Sequence, residues 1–373
     1  MEAIPQFRAI AADPKAYARA WKERTGGKVI GTLCSYAPEE LILAAGALGF
    51  RIVGGSGAIS KADAHLQAYS CSLVRGALED ALDNQFDFLD GAIFPHTCDS
   101  IQRLSDIWRM NAKTGFHLDV VLPVKLNTDS ARDYMTAVMA KARSELGEML
   151  GQAISDDAIR QAVITYNRIR TKMETLYTLR RECPGLIAGG DVHAITRAAM
   201  VMDRHDFLKG LSEVVDGVAA AAKAFSGPDP KRIFLSGGVC NLPDIYGPIE
   251  ASGGAVVGDD LCTGSRQMLG TIDAQDDLID AIARRYMERA VCPAKHAGIR
   301  TRGEELVRRA RAAKAQGVIF LYLKFCDPHA FDYPYLKDML TAEGIPTLLV
   351  ELEEQTASDG QFQTRCEAFM EML

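Results

Sequence analysis

Lys28-Val-Ile-Gly-Thr-Leu-Cys34, then Pro38-Glu-Glu40, then Phe50-Arg-Ile-Val-Gly-Gly55 is the stretch that decides the fold class. Lys28–Leu33 is a short apolar run of strand type, and Phe50–Val53 is a second, stopped by two glycines. Between them Pro38 suits a first helical turn, and Glu39 and Glu40 suit the positive end of a helix running to Leu48. The rhythm continues outward. A helix is expected over Asp63–Leu82, a third strand within Phe86–Phe94, a helix from Asp99 to Met110 and a fourth strand within Gly115–Val124. Strands alternating with helices at this spacing imply a parallel sheet covered on both faces.

The pattern changes on either side of this unit. Pro14–Arg24 reads as a helix ended by Gly26-Gly27, so residues 1–25 form a helical N-terminal segment ahead of a first α/β domain at 26–127. Residues 128–228 form a helical region, with helices over Ala131–Leu150 and Asp156–Glu182 and no clear strand. The βα rhythm returns in a second α/β domain at 229–373. Its strands are Arg232–Leu235, Gly254–Val257, Gly317–Phe325 and Pro346–Leu352. Its helices are expected over Asn241–Ser252, Asp277–Ala290, Gly303–Ala315, Phe331–Glu343 and Gly360–Leu373.

Composition narrows the function. The chain has 373 residues, 48% hydrophobic and 24% charged, which suits a soluble globular protein of two or three packed units. A net charge of −7 argues against nucleic acid as the partner. No apolar run is long enough to span a membrane, and the first residues lack a secretion signal, so a cytoplasmic location is expected. The nine cysteines should then stay reduced.

Three of them share a context. Cys34, Cys98 and Cys326 each follow an expected strand and precede a helix. Loops at the carboxyl ends of parallel strands are where such sheets place their sites. A helix start favours thiolate, the form that binds iron. Three ligands rather than four would leave one metal position open. The residues alone leave alternatives: packed thiols, or zinc as the default metal. Cys183 and Cys366 read as structural, Cys240 follows Gly237-Gly238, and Cys71, Cys262 and Cys292 are available as further ligands.

The wording around the cysteines is more specific. Gly-Thr-Leu-Cys-Ser-Tyr-Ala-Pro-Glu-Glu-Leu (31–41), Asp-Asp-Leu-Cys-Thr-Gly-Ser-Arg (259–266) and Phe-Cys-Asp-Pro-His-Ala-Phe-Asp-Tyr-Pro-Tyr-Leu-Lys (325–337) resemble the 2-hydroxyacyl-CoA dehydratase and benzoyl-CoA reductase family, in order, from about residue 25 to the end. The resemblance implies two flavodoxin-like domains and a 4Fe–4S cluster on Cys34, Cys98 and Cys326. It also implies pairing with a homologous larger subunit, this chain being similar to the shorter one, in a heterodimer or higher assembly. By the same resemblance, a separate ATP-hydrolysing iron–sulfur activator delivers single electrons. The acyl-CoA substrate, a CoA thioester, then forms a ketyl-type radical that loses a hydroxyl or is reduced again. Anaerobic metabolism is the implied setting.

Other residues carry plainer expectations. Asp327 and His329 are candidates to tune the cluster or supply a proton, or else to cap a helix and sit at the surface. Ser265 and Arg266, on a strand-end loop with Asp259 and Asp260, are candidates to face substrate; Arg266 suits a carboxylate or a CoA phosphate, or an ordinary ion pair. His96 and Asp99 lie near Cys98 without a role of their own, and Glu39 and Glu40 read as first-turn helix acids. Gly54-Gly55 and Gly237-Gly238 form no recognised nucleotide motif. Three further readings stand beside the catalytic subunit: an electron-transfer subunit without substrate contact, a double-cubane reductase of small molecules needing about six cysteines, and a structural zinc protein.

Overall fold

The computed structural model describes every residue except 1, 56, 240–243, 276, 290–291, 296–297 and 353–358. The expected Cys240 and the start of the helix expected at Asn241 therefore lie outside the described residues. Among those described, the first sheet contains β1 (Val29–Thr32), β2 (Leu48–Arg51), β3 (Gly91–Pro95) and β4 (Phe116–Val120). The second contains β5 (Lys231–Gly237), β6 (Gly254–Asp260), β7 (Gly317–Leu323) and β8 (Thr347–Leu352). Their orders are β2-β1-β3-β4 and β6-β5-β7-β8, parallel throughout.

The chain is thus an α/β protein of two parallel-sheet domains with the same winding, the first four strands of the flavodoxin order. In each half the chain steps one way and then doubles back. The order reverses between β1 and β3, and again between β5 and β7. The central strands β1, β3 and β7 are buried along their whole length, as two-sided helical cover requires.

The helices between the sheets follow their caps. Thr128, Ser155 and Asp203 accept backbone N–H bonds at the starts of helices Asp129–Leu150, Asp156–Glu182 and Arg204–Ala222. A further helix, Ala3–Ala12, precedes Pro14–Thr25.

Two local expectations change, and one glycine pair gains a role. The helix expected from Asp63 begins only at Ser72. The Glu79 carboxylate instead gathers the N–H groups of Ser60, Lys61 and Ala62, folding that segment back as a loop. Strand β6 continues past Gly258 through Asp260, because both aspartates find buried cationic or hydroxyl partners. The last glycine pair serves packing: a Cβ at Gly237 would collide with the Leu321 carbonyl of β7, and one at Gly238 would lie 3.3 Å from the His329 ring.

Glu39 and Glu40 do more than begin a helix. Glu40 is fully buried and pairs with Arg170 of the middle helix and Arg285 of helix Leu278–Glu288. Glu39 lies 2.8 Å from Arg170 and 3.5 Å from Arg285. Tyr286 Oη donates to Ala37 O at 2.7 Å and accepts from Glu39 N. This network binds the first sheet, the middle helices and the second half together.

Burial alone would raise the Glu40 pKa; Arg170 and Arg285 overcome it and hold the carboxyl below its ordinary value. Arg170→Met should cost about 3–5 kcal/mol, because it strips a buried carboxylate of its main partner; a lowered urea midpoint checks this. The folded pKa lies below the unfolded one, so the contribution is present above about pH 4.3 and fades as pH falls through the depressed value. Glu40→Gln should flatten that part of the stability-against-pH curve.

Candidate metal centre

The three expected cysteines stand at the carboxyl edges of β1, β3 and β7, strands that border the two reversal points. Cys98 occupies the N-cap position of helix Asp99–Asn111, and Cys326 that of helix Asp327–Ala342. The latter helix starts four residues earlier than the Phe331 expected from sequence, which brings Asp327 and His329 into its first turn. Phe325, just before Cys326, has φ +64°, a left-handed conformation that turns the chain sharply at the strand end. Cys98, Asp99, Asp327 and Phe331 line one pocket of about 360 Å³, so the loops after β3 and β7 face each other across it.

The sulfurs sense one another. Burial pushes the Cys98 thiol up to about 12, and Cys71 and Cys34 push in the same direction. Burial raises Cys326 well above its ordinary value, with Cys71, Cys98 and Cys262 adding to it. Burial raises Cys292 to about 11, where Cys262 and Cys34 contribute and Arg266 opposes. These pairwise influences place Cys34, Cys98, Cys71, Cys326, Cys262 and Cys292 in one neighbourhood. Cys71 is itself a helix N-cap, a placement the sequence pattern had left unassigned. Cys183 and Cys366 stand apart, at a helix C-cap and buried in the last helix.

Helix N-termini therefore do not by themselves make Cys98 and Cys326 thiolates: the N–H groups of Ile101 and His329 favour the charged form, but burial outweighs them. Displacing the proton takes a metal. Among the described residues no three His, Cys, Asp or Glu side chains are grouped to hold one metal ion. A single zinc needs its sulfurs roughly 3.8 Å apart, the tetrahedral edge for 2.3 Å bonds, whereas a cubane bonds each sulfur at a different iron and asks for wider separation.

Around these cysteines lie cations for which the described residues supply no carboxylate. Lys295 is buried, and no hydrogen bond or ion pair holds its ammonium among the described residues. Burial lowers its pKa while Cys292, Cys34 and Cys98 act to raise it. Arg289 donates to Ser35 O and Oγ, beside Cys34, and stacks over Tyr36 and Tyr286; its Nε and Nη1 have no hydrogen-bond partner among the described residues. Neither residue was singled out from sequence. A lysine between helices and an arginine at a helix end carry no local signal of burial.

His329 is buried with Nδ1 3.2 Å from Cys326 Sγ and the Gly237 backbone beside its ring. Burial, then Arg266 and Arg302, hold its pKa well below the ordinary value, so the ring is neutral. Asp327 is exposed. His96 and His117 both bond Asp119, at 2.9 and 3.3 Å.

Arg266 and Ser265 are buried. Arg266 Nε meets Asp260 Oδ1 at 3.0 Å, Nη1 meets Cys262 Sγ at 2.9 Å, and Nη2 donates to the carbonyls of Gly237 and Asp260. Ser265 N donates to Asp259 Oδ1, and Arg309 donates to Ser265 Oγ. The carboxylate expected of Arg266 is thus Asp260 of the same chain, and all three guanidinium nitrogens have interior partners.

The profile of 2-hydroxyglutaryl-CoA dehydratase, D-component, matches residues 34–373 and so begins at Cys34. The (R)-phenyllactyl-CoA dehydratase beta subunit of Clostridium sporogenes is 29% identical, covering 98% of this chain and 97% of its own. A subunit of the benzoyl-CoA reductase of Thauera aromatica is 30% identical, over 93% and 90%. The (R)-2-hydroxyglutaryl-CoA dehydratase beta subunit of Acidaminococcus fermentans is 29% identical, over 99% and 98%. Among solved structures, YtgA from Chlamydia trachomatis aligns over 93% of this chain and 98% of its own with a TM-score of 0.21 at 9% identity, too weak a likeness to carry an argument. With the match running from the first site cysteine to the last residue, the chain belongs to the 2-hydroxyglutaryl-CoA dehydratase D-component family.

Proposed function

We propose that this chain holds a 4Fe–4S cluster on Cys34, Cys98 and Cys326 and is one subunit of an ATP-activator-dependent acyl-CoA enzyme, of the 2-hydroxyacyl-CoA dehydratase or benzoyl-CoA reductase type. Bound there, the group supplies single low-potential electrons for a CoA thioester and one iron with an open position. Its partners are a homologous larger subunit and a separate iron–sulfur activator. A cytoplasmic setting accords with the reduced thiols; no helix among the described residues is long and apolar enough to cross a membrane.

One observation supports the reading: Cys34, Cys98 and Cys326, half-buried and drawn from both halves of the chain, lie near Lys295 and Arg289, for which the described residues supply no carboxylate. A buried unpaired cation is expensive. A thiolate-held iron–sulfur group is anionic and restores the balance. His329 keeps a neutral ring against Cys326, suited to hydrogen-bond the ligand sulfur. Asp327, exposed at the mouth, is placed to exchange a proton with solvent. Arg266 and Ser265 fix the loop that presents Cys262.

The group of six cysteines favours a second reading, a double cubane spanning Cys34, Cys98, Cys326, Cys71, Cys262 and Cys292. Iron analysis after anaerobic purification separates the two. About four iron per chain, lost on Cys34→Ser, Cys98→Ser or Cys326→Ser and retained on Cys71→Ser, fits the single cluster. About eight, falling with any of the six, fits the double. A colourless, iron-free chain sinks both. Activity that appears only with ATP, the activator and a copurified larger subunit tests the wider assignment.

Lys295→Met removes a positive charge that stabilises the reduced, more negative state. The midpoint potential should fall by on the order of tens of millivolts, and Lys295→Arg should restore it. A redox titration followed by electron paramagnetic resonance reads the shift.

A further inference from the structure

A cavity of about 280 Å³ lies between the long middle helix Asp156–Glu182 and β6, the edge strand of the second sheet, and no cysteine lines it. A bulge shapes its wall. Strand β6 pairs Val256 with Ile233 of β5, then skips Val257 and pairs Gly258 with Phe234. Such a bulge bends an edge strand and re-aims its side chains. Gly258 leaves room for the neighbouring ring, since a Cβ there would lie 2.9 Å from Phe234. Met173, Phe234, Val257 and Met268 give the cavity an apolar lining.

Its charges are unevenly engaged. Asp259 is 1% exposed and accepts from Tyr177 Oη and from Ser265 N, each at 2.7 Å. Arg309 donates to Ser265 Oγ and to the Asp259 carbonyl, each at 2.6 Å, and Arg308 pairs with Glu305. Arg181 is different. Among the described residues its side chain makes one hydrogen bond, to Thr178 Oγ1 at 3.1 Å, and no ion pair. It is half-buried, and none of its nitrogens is sealed from solvent without a partner, so its remaining donors are within reach of a ligand. The lining holds three guanidinium groups, Arg181, Arg308 and Arg309, against two carboxylates, and one of those, Asp259, faces inward. The other, Glu174, is exposed and stands seven residues before Arg181 on the same helix, about 10 Å along its axis.

We propose that this cavity binds a small carboxylate with an apolar body, the body against Phe234, Val257 and Met268 and the carboxylate on Arg181. A planar guanidinium with open donors grips such a group bidentately. A lining that is part apolar, with one convergent cation, is the make-up of a small-molecule site. Glu174 opposes a second negative charge, which selects a monoanion over a phosphate dianion. The site is separate from the cysteines and stands whether or not they hold a cluster.

The test is calorimetry on the full chain, purified anaerobically, with hexanoate and phenylacetate as probes. Hexanamide, hexylamine and inorganic phosphate are the comparisons. Saturable binding of a carboxylate is expected, with each comparison weaker by roughly tenfold or more. Arg181→Met should weaken carboxylate binding by roughly tenfold or more, with Arg181→Lys intermediate. Glu174→Gln should tighten it, because a repelling charge is gone from the mouth. No saturable binding of either carboxylate, equal binding of hexanamide, or unchanged binding in Arg181→Met overturns the proposal. Should Arg181→Met fail to fold, Glu174→Gln decides alone, and binding there that is unchanged or weaker overturns it.

Discussion

Glu40 has no contact with water, yet it is held ionised, and the arrangement of the whole site depends on how that charge is met. Its partners come from two other parts of the chain: Arg170 from the middle helices, and Arg285 with Tyr286 from the half that carries the second sheet. The same half reaches the loop after Cys34 through Arg289, bonded to Ser35, and through the Tyr286 hydroxyl on Ala37. Residues 35–40 are gripped from both sides. A flexible joint between the two sheets would let Cys34 drift from Cys326; a desolvated ionic clamp with directional bonds fixes it.

The second sheet has a matching anchor. Asp260, buried at the end of β6, is met by Arg266, Arg302 and Arg309. Burial pushes its carboxyl up and the three guanidinium groups bring it well below the ordinary range. Arg302 also pairs with Asp332 in the helix that starts at Cys326, at 2.8 Å. Each sheet thus has one buried ionic network setting its cysteine-bearing loops. Beside those networks stand Lys295, Arg289 and Arg51, for which the described residues supply no carboxylate.

The architecture explains why the cysteines face a shared space. In a parallel sheet that reverses its strand order, neighbouring connections leave in opposite directions and open a crevice at the carboxyl ends. Two such sheets, each with cysteines beside the reversal, supply sulfur from both sides of one region. The strained turn at Phe325 and the absent Cβ at Gly238 then let the His329 ring lie against Cys326.

The sequence by itself determined the parallel α/β class, the strand-end setting of Cys34, Cys98 and Cys326, and the family resemblance. Apolar periodicity, helix starts and turn glycines are local signals, and each is written within a few residues. Only the tertiary structure decided that Glu40 is a clamp rather than a helix acid, that Arg266 is held inside, and that Cys71 stands among the other cysteines. It alone showed that Arg51 Nε and Nη1 are sealed without partners among the described residues. A residue's type does not reveal its burial or its distant neighbours. Whether a charge is matched depends on groups far apart in the chain, such as Glu40 and Tyr286 at 246 positions, and folding alone brings these together.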